Sequence, residues 1–326
     1  METLTELLTH KFVLWGGFNL LVLFMLALDL GIFHRKDHRI SMKESIVWSI
    51  IWVVVALVFN VIVYFWRGSE VALQFFTGYL IERSLSIDNI FVFILIFSYF
   101  GVAEKYQYKV LFWGILGALI LRGIFIALGA ILIAQFHWIL YIFGAFLIYA
   151  GVKMAFAEDR KIEPEKNPFL KLLRKMITIT PDYRDGHFFV KENAKRLATP
   201  LFVVLVVVES TDLVFALDSI PAIFAITQDP FIIYSSNVFA ILGLRALYFA
   251  MAALMDMFYY LKYALGLILS FVGVKMLISS FVKIPIGLAL GVIIGVLVIA
   301  VIISIVKPPK KKKEALPIPE SAPKTN

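Results

Sequence analysis

The sequence contains no cysteine among its 326 residues. Disulfide bonds, thiolate metal sites and dithiol redox chemistry are therefore excluded on this chain. The histidines lie in loops or at the ends of apolar runs, which disfavours zinc and copper sites; they are His10, His34, His38, His137 and His187. Nucleotide-binding loops, nucleophile triads and haem motifs are also missing. We therefore expect a protein that is not an enzyme.

Charge is scarce as well, since Asp, Glu, Lys and Arg make up only 17% of the chain. Hydrophobic residues make up 61%, whereas soluble chains average about 45–50%. Several runs of roughly 20 apolar residues match the length that crosses about 30 Å of hydrocarbon. The first run contains Asn19 and Asp29 and lacks a cleavage site, so we expect a lasting helix rather than a signal peptide. The composition predicts an all-α polytopic membrane protein.

The hydrophobic runs between polar breaks predict nine transmembrane helices. They lie near 12–33, 46–66, 71–100, 107–134, 138–157, 199–225, 233–255, 258–282 and 285–306. Most Lys and Arg residues outside these runs fall on one side, which the positive-inside rule makes cytoplasmic. We therefore expect the N-terminus outside and the C-terminus in the cytoplasm. The net charge of +8 lies in loops and a tail beside the membrane, which indicates lipid rather than nucleic acid as the partner.

An internal repeat is present. The motif GVKM occurs at 151–154 and again at 273–276. Working back, ILRGIF aligns with GLRALYF, and ERSLSIDN aligns with DLVFALDS. Helices 3–5 therefore repeat as helices 6–8, and an odd number of crossings gives the two copies opposite orientations. This pattern predicts two inverted three-helix repeats, the architecture in which transporters bind substrate at the repeat interface.

The chain divides accordingly into six segments. They are two N-terminal helices (1–70), the first repeat (71–157), a cytoplasmic loop (158–198), the second repeat (199–282), a ninth helix (283–306) and a basic, disordered cytoplasmic tail (307–326). The two repeats are expected to form the functional core, with the other three helices beside them.

Acidic residues interrupt the apolar helix VVVESTDLVFALDSIPAIF. On a straight α-helix, Glu209 and Asp212 share one face. Asp218 lies on the opposite face, about 13 Å along the axis from Glu209. Pro221 lacks an N–H and disfavours helix before it, so we expect the helix to break near 217–221. Such a break would free carbonyl oxygens beside Asp218, which is tolerated at membrane depth only where the backbone is buried or lines a cavity.

The first copy, LSIDN, has no proline, but Ser86, Asp88 and Asn89 are poor residues for a helix interior. Related by a two-fold axis, Asp88 and Asp218 are expected to face each other across the centre. Carboxylate, amide and hydroxyl oxygens favour hard divalent cations such as Mg²⁺, Ca²⁺ or Mn²⁺. The predicted metal ligands are Asp88, Asp218, Glu82, Asp212, Glu209, Asn89 and Ser219. A site emptied of metal could take up protons, which favours proton–cation exchange.

Structural ion pairing is the alternative for these acids, because arginines also lie within the spans. Arg122 and Arg245 hold equivalent positions in the two repeats. They either balance the charge of the empty site or simply tie helices together. Asp29 lies near the cytoplasmic end of the first helix, where we expect a solvated or interfacial acid.

At ERSLSIDNIFVF and ESTDLVFALDSIPAIFAI the sequence resembles the TerC family of integral membrane proteins, most closely its longer Alx-type members. The likeness extends over LDLGIFHRK, the DGHFFV…ENAKRLATPL loop and the second GVKM. It implies a metal-ion transporter related to the lysine-exporter superfamily and associated mainly with manganese efflux. It also implies links to tellurite resistance, to metal loading of secreted enzymes and to redox modulation. The family motifs fall on the seven predicted ligands.

Together, the residues and the resemblance predict a multi-pass protein of the bacterial inner membrane that exports Mn²⁺ in exchange for protons. Its partners would be the lipid bilayer, the metal ion and protons, with no permanently bound cofactor and with protein partners unknown. One alternative is export of a small cationic solute. Another is an accessory membrane protein for tellurite or metal stress, or for metalation of partner proteins, with the loop 158–198 as its docking surface.

Overall fold

Helices account for most of the described chain. The computed structural model of the protein describes residues 4–33, 42–136, 138–156, 168–192, 195–252, 260–279 and 281–306. In chain order the elements are α1 (Leu4–Phe33), α2 (Met42–Arg67), α3 (Ser69–Tyr99), α4 (Glu104–Gln135), α5 (Ile139–Phe156), α6 (Pro168–Met176), β1 (Phe189–Glu192), β2 (Lys195–Ala198), α7 (Pro200–Phe224), α8 (Pro230–Leu242), α9 (Leu244–Ala252), α10 (Leu261–Ile278) and α11 (Ile286–Val306). The predicted tail, 307–326, lies outside the described residues.

Six of the described helices are long and apolar enough to cross a membrane, namely α2, α4, α5, α7, α10 and α11. The pair α8 and α9, bent by 43° between them, makes a seventh if it counts as one span. The apolar part of α1 is shorter, Val13–Asp29. The interior of α3 carries Glu82, Arg83 and Asp88. The chain is thus an all-α polytopic membrane protein, and the number of nine crossings stays a prediction.

Local sequence explains where α8 begins. Asp229 occupies the N-cap position, and its carboxylate accepts hydrogen bonds from the backbone N–H groups of Phe231 (2.9 Å) and Ile232 (3.4 Å). Pro230 follows at the first helical position, where its missing N–H costs nothing. These caps fix the start of α8, and hence the register with which its polar residues enter the core.

The expected break near 217–221 is wrong. Helix α7 runs without interruption from Pro200 to Phe224, with Pro221 inside its last turn. A proline this close to a helix end removes only one hydrogen bond, and Pro221 is buried among packed side chains. Helix α3 likewise continues through the predicted weak stretch at 86–89. Tertiary packing therefore outweighs the local helix-breaking tendency at both motifs.

Four helices form the core that surrounds the predicted site. Helix α3 packs against α7 and α8, and α4 packs against the same two helices. Large buried side chains fill the spaces between them, including Phe75, Phe97 and Phe239. Many apolar side chains on the outer faces are exposed instead, such as Phe65 on α2 and Ile299 on α11. Exposed apolar surface on this scale fits helices that face lipid.

Helices α5 and α10 cross at unusually short range because glycines meet at the crossing. A Cβ atom added at Gly151 would lie 2.4 Å from the carbonyl oxygen of Gly266. One added at Gly273 would lie 2.6 Å from the carbonyl oxygen of Gly144. Only residues without side chains permit backbones to approach this closely. The crossing therefore depends on all four glycines.

The loop between α5 and α7 is folded where it is described. Strands β1 and β2 pair antiparallel, with Phe189 opposite Ala198 and Glu192 opposite Lys195. The Tyr183 hydroxyl donates to the Phe100 carbonyl. The Lys109 ammonium donates to the Gly186 carbonyl at 2.7 Å. The loop is thus attached to the junction between α3 and α4.

Candidate functional site

A buried cluster of charges joins three of the core helices. Arg122 on α4 is only 2% exposed. Its Nε and Nη2 atoms donate to the two carboxylate oxygens of Asp212 on α7, at 3.1 and 2.9 Å. Its Nη1 atom donates to Glu82 on α3, whose side chain is fully buried. Asp212 is the central residue of α7. The structure thus brings together two of the predicted ligands, one from each repeat, around one arginine.

Asn237 on α8 completes this cluster. Its Nδ2 atom donates to Glu82 at 3.1 Å, and its Oδ1 atom accepts from Nη1 of Arg122 at 3.3 Å. Sequence reasoning missed this residue because it belongs to neither acidic motif. The available signal was the polar run from Ser235 to Asn237 inside an otherwise apolar helix. We call the four residues the Arg122 cluster: Glu82, Arg122, Asp212 and Asn237.

Glu209 lies one turn before Asp212 on α7 and borders the cluster. Its Oε2 atom is buried and has no hydrogen-bond partner among the described residues. The carboxylate lies over Gly117 of α4, where an added Cβ would be 2.2 Å from Oε1. The face shared by Glu209 and Asp212 is therefore as predicted, and a glycine on the facing helix makes the space for it.

A small cavity lies beside these two acids. Its volume is about 10 Å³, which is roughly the space of one water molecule. Apolar side chains that include Phe93, Leu111 and Leu244 form nearly all of its wall, and Glu209 and Asp212 also border it. The cavity is thus a small, mainly apolar space next to Glu209 and Asp212.

The cluster is electrostatically unbalanced. One guanidinium faces two carboxylates in a region from which water is excluded, and breaking such buried pairs is costly. No three acidic or histidine side chains within the described residues are grouped so that they could hold a metal ion in this conformation. The guanidinium lies between the acids. The arrangement can neutralise negative charge, link helices and, if Arg122 withdraws, expose carboxylate oxygens.

The remaining predicted ligands lie elsewhere on the same helices. Asp218 is half-buried, nine residues beyond Glu209 on α7. Ser219 is buried, and its Oγ atom has no hydrogen-bond partner in the part of the chain that the structure describes. Asn89 is buried on α3. The side chain of Asp88 lies outside the described part, so its approach to Asp218 stays a prediction.

The second repeated arginine has different partners. Arg245 on α9 forms an ion pair with Asp29 on α1, with Nη2 2.6 Å from Oδ2. It also donates to the backbone carbonyl of Asp29 at 3.0 Å. The expectation of a solvated Asp29 is wrong, since this residue is only 4% exposed, whereas its position relative to the membrane interface stays a prediction. It is buried because α9 brings a guanidinium to the end of α1.

Three polar contacts are thus spaced along α8 and α9. Asp229 pairs with Arg67 of α2, Asn237 contacts the Arg122 cluster, and Arg245 pairs with Asp29. The three positions are eight residues apart, or about 12 Å on a straight helix. The bent pair therefore contacts α2 at one end, α1 near the other and the acidic motifs between them.

These features define an integral multi-pass membrane protein with a carboxylate–arginine cluster between its helices. Residues 67–312 match the family model described as "Integral membrane protein TerC family". The chain belongs to the TerC family.

Relatives cover nearly the whole chain. A Myxococcus xanthus protein named "Uncharacterized membrane protein STKORF319" is 51% identical over 294 residues, 90% of this chain and 92% of that protein. "Putative membrane-bound redox modulator Alx" of Escherichia coli K12 is 49% identical over 289 residues, 86% and 90% of the two chains. A Rickettsia felis "Uncharacterized membrane protein" is 45% identical over 293 residues, 90% and 97%. No solved structure matches this chain significantly.

Proposed function

We propose that this protein is an inner-membrane transporter that exports Mn²⁺ in exchange for protons. The observation that carries the proposal is the Arg122 cluster. Glu82 and Asp212 converge on one arginine between packed helices, and Glu209 with its unpaired oxygen lies next to them. Ionisable residues inside a membrane protein generally mark ion or proton pathways.

The chemistry of the donors supports a hard cation as the substrate. The metal-ligand atoms in and beside the cluster are carboxylate or amide oxygens, which suit Mn²⁺, Mg²⁺ and Ca²⁺. Carboxylates can exchange a metal ion for protons, so the same groups can serve both ions. The choice of manganese within this class rests on the resemblance to the TerC family, and flux measurements with different metals test it.

The packing of α5 on α10 supports the inverted repeats. Gly151 and Gly273 are equivalent in the two GVKM motifs, and Gly144 and Gly266 each lie seven residues before them. The contacts are reciprocal, because Gly151 meets Gly266 while Gly144 meets Gly273. A two-fold axis between α5 and α10 would produce this reciprocity. In our proposal this axis relates α3–α5 to α7–α10. The N-terminus lies outside and the C-terminus lies in the cytoplasm.

The test is metal flux in proteoliposomes that contain the purified chain, a fluorescent Mn²⁺ reporter and an imposed pH gradient. Wild type is compared with Asp212→Asn, Glu209→Gln, Asp88→Asn and Asp218→Asn, after the folding of each variant has been checked. The matched control is Glu70→Gln, because Glu70 is an exposed acid in the first turn of α3. Gradient-driven flux that the site variants lose and the control keeps supports the proposal. Absence of flux in wild type would sink it.

A role as an accessory protein is the second candidate, and the folded loop favours it. The loop presents exposed charges to solvent, and Arg184 pairs there with Asp182 and Glu192. Reversing these exposed charges leaves the contacts of Tyr183 and Lys109 in place. A transporter should keep its flux after this change. An accessory protein should lose its effect on metal or tellurite tolerance in cells while the acidic variants keep theirs.

A further inference from the structure

Each of the four carboxylate oxygens of Glu82 and Asp212 accepts a hydrogen bond within the cluster. Arg122 donates to one oxygen of Glu82, and Asn237 donates to the other. Both oxygens of Asp212 accept from Arg122. Glu209 differs, because its buried Oε2 atom has no partner among the described residues. The unpaired oxygen of Glu209 therefore lies beside two carboxylates that are hydrogen-bonded to the Arg122 guanidinium.

A divalent cation and the guanidinium compete for the carboxylates of Glu82 and Asp212. Metal ions such as Mn²⁺ approach carboxylate oxygens to roughly 2–2.6 Å, whereas Arg122 lies 2.9 Å and 3.1 Å from the oxygens of Asp212. A metal that used the lone pairs now bound by Arg122 would have to displace the guanidinium. Two cations in contact in a medium of low dielectric also repel each other strongly.

We propose that Arg122 is a tethered cation that competes with the transported divalent cation for Glu82 and Asp212. This inference rests on the proposed function and adds its regulation. The metal first meets Glu209 beside the small cavity, and it gains the other two carboxylates only as Arg122 withdraws. The return of Arg122 then drives the metal off and leaves the cluster neutralised for the next cycle.

Asn237 is the positioning residue in this exchange. It donates to Glu82 and accepts from Arg122, so it fixes the position of these two side chains relative to each other. Its place on α8 connects the exchange to the bend between α8 and α9. Loss of Asn237 would loosen the hold of Arg122 on Glu82 without removing either charge.

An ion pair that only links helices does not need more carboxylates than guanidinium groups. Arg245 and Asp29 form such a pair, with Nη2 2.6 Å from Oδ2. The Arg122 cluster instead sets two carboxylates against one guanidinium and keeps the unpaired Glu209 oxygen three residues from Asp212. A surplus of negative charge beside a cavity is what a site for an incoming cation requires.

The experiment is equilibrium Mn²⁺ binding to the purified full chain in detergent, followed by the electron paramagnetic resonance signal of free Mn²⁺. Arg122→Lys keeps the positive charge but loses the bidentate contact with Asp212. Its affinity for Mn²⁺ is expected to rise about tenfold, as for the loss of one charge-assisted hydrogen bond. Its maximal Mn²⁺ export rate in proteoliposomes is expected to fall, because release slows. KM and the maximal rate should therefore decrease together.

Asn237→Ala keeps Arg122 intact and tests the inference even where Arg122→Lys does not fold. Its affinity is expected to rise about threefold, because the guanidinium loses only its long, 3.3 Å hydrogen bond to Asn237. Arg83→Lys is the matched control, since the Arg83 guanidinium also donates to α8, at the Ala240 carbonyl (3.0 Å), but lies outside the cluster. That control should bind Mn²⁺ as wild type does.

The outcomes separate this inference from the proposed function. A wild-type chain that neither binds nor transports Mn²⁺ overturns both. A wild-type chain that binds and transports Mn²⁺, together with Arg122→Lys and Asn237→Ala variants of equal or weaker affinity, overturns only the tethered cation. A purely structural role for Arg122 predicts weaker binding on substitution, so tighter binding with slower export supports the inference.

Discussion

Arg122 and Arg245 occupy equivalent positions in the two repeated motifs, and each is only 2% exposed. Their partners nevertheless differ. Arg122 binds carboxylates from both acidic motifs, whereas Arg245 binds Asp29 of α1, a helix outside the repeats. Each of the two similar motifs therefore contains a buried arginine, and the surrounding helices determine its partners.

The difference has a functional meaning. The pair formed by Arg245 and Asp29 joins α1 to α9. The Arg122 cluster carries one more carboxylate than guanidinium and borders Glu209 and a cavity. Buried pairs are weak evidence for stability by themselves, so the imbalance rather than the pairing distinguishes the candidate site.

The largest expected effect is loss of the arginine that holds two acids. Arg122→Ala leaves Glu82 and Asp212 buried without their cation, at a cost of about 3–5 kcal/mol for a broken buried pair. Arg245→Ala removes the cation from one described carboxylate, Asp29, rather than from two, so its cost should be smaller. Unfolding of the detergent-purified variants measures both, and an equal or larger loss for Arg245→Ala would contradict the comparison.

The second prediction concerns rescue. Adding Asp29→Asn to Arg245→Gln removes the stranded charge and should recover about 1–3 kcal/mol, the range of coupling between contacting residues. Adding Asp212→Asn to Arg122→Gln should recover a smaller share of its loss, because Glu82 remains charged. Double-mutant cycles on unfolding free energies measure the two couplings. Full rescue of Arg122→Gln by Asp212→Asn alone would show that Glu82 does not depend on Arg122.

The third prediction concerns the space beside the cluster. Counted back from the two arginines, Gly117 aligns with Ala240. A methyl group is thus native in the second repeat, whereas in the first it would lie 2.2 Å from the Glu209 carboxylate. Gly117→Ala should cost about 1–3 kcal/mol and reduce Mn²⁺ flux by displacing Glu209.

Gly291→Ala on α11 is the control for that substitution, because nothing lies within 4 Å of its added Cβ. It should leave both stability and flux close to wild type. Equal behaviour of the two alanine variants would mean that Glu209 moves aside without consequence.

The smallest effect is expected at the exposed ion pair. Arg67 and Asp229 have side chains that are 35% and 25% exposed. Arg67→Gln should therefore cost about 0.2–1 kcal/mol, and added salt should reduce the difference. If Arg67→Gln lowers the free energy of unfolding as much as Arg245→Ala does in the same experiment, burial does not determine how much each pair stabilises the protein.

Several features of the site followed from local sequence. The shared face of Glu209 and Asp212 depends only on their spacing in one helix, so the prediction is confirmed by their position beside one cavity. The break at Pro221 was predicted by the same local reasoning and is wrong, because packing around α7 holds the helix together. Asn237 was missed since a single amide in an apolar helix carries no motif.

The sequence by itself determined that the chain forms apolar helices for a membrane, because composition and run length dictate how such segments meet lipid. It also determined which helices carry acids. Only the tertiary structure decided which cation meets which acid. Arg122 lies 90 residues from Asp212, and Arg245 lies 216 residues from Asp29. Such pairings depend on how distant helices pack, and the buried charges must find a partner wherever that packing places them.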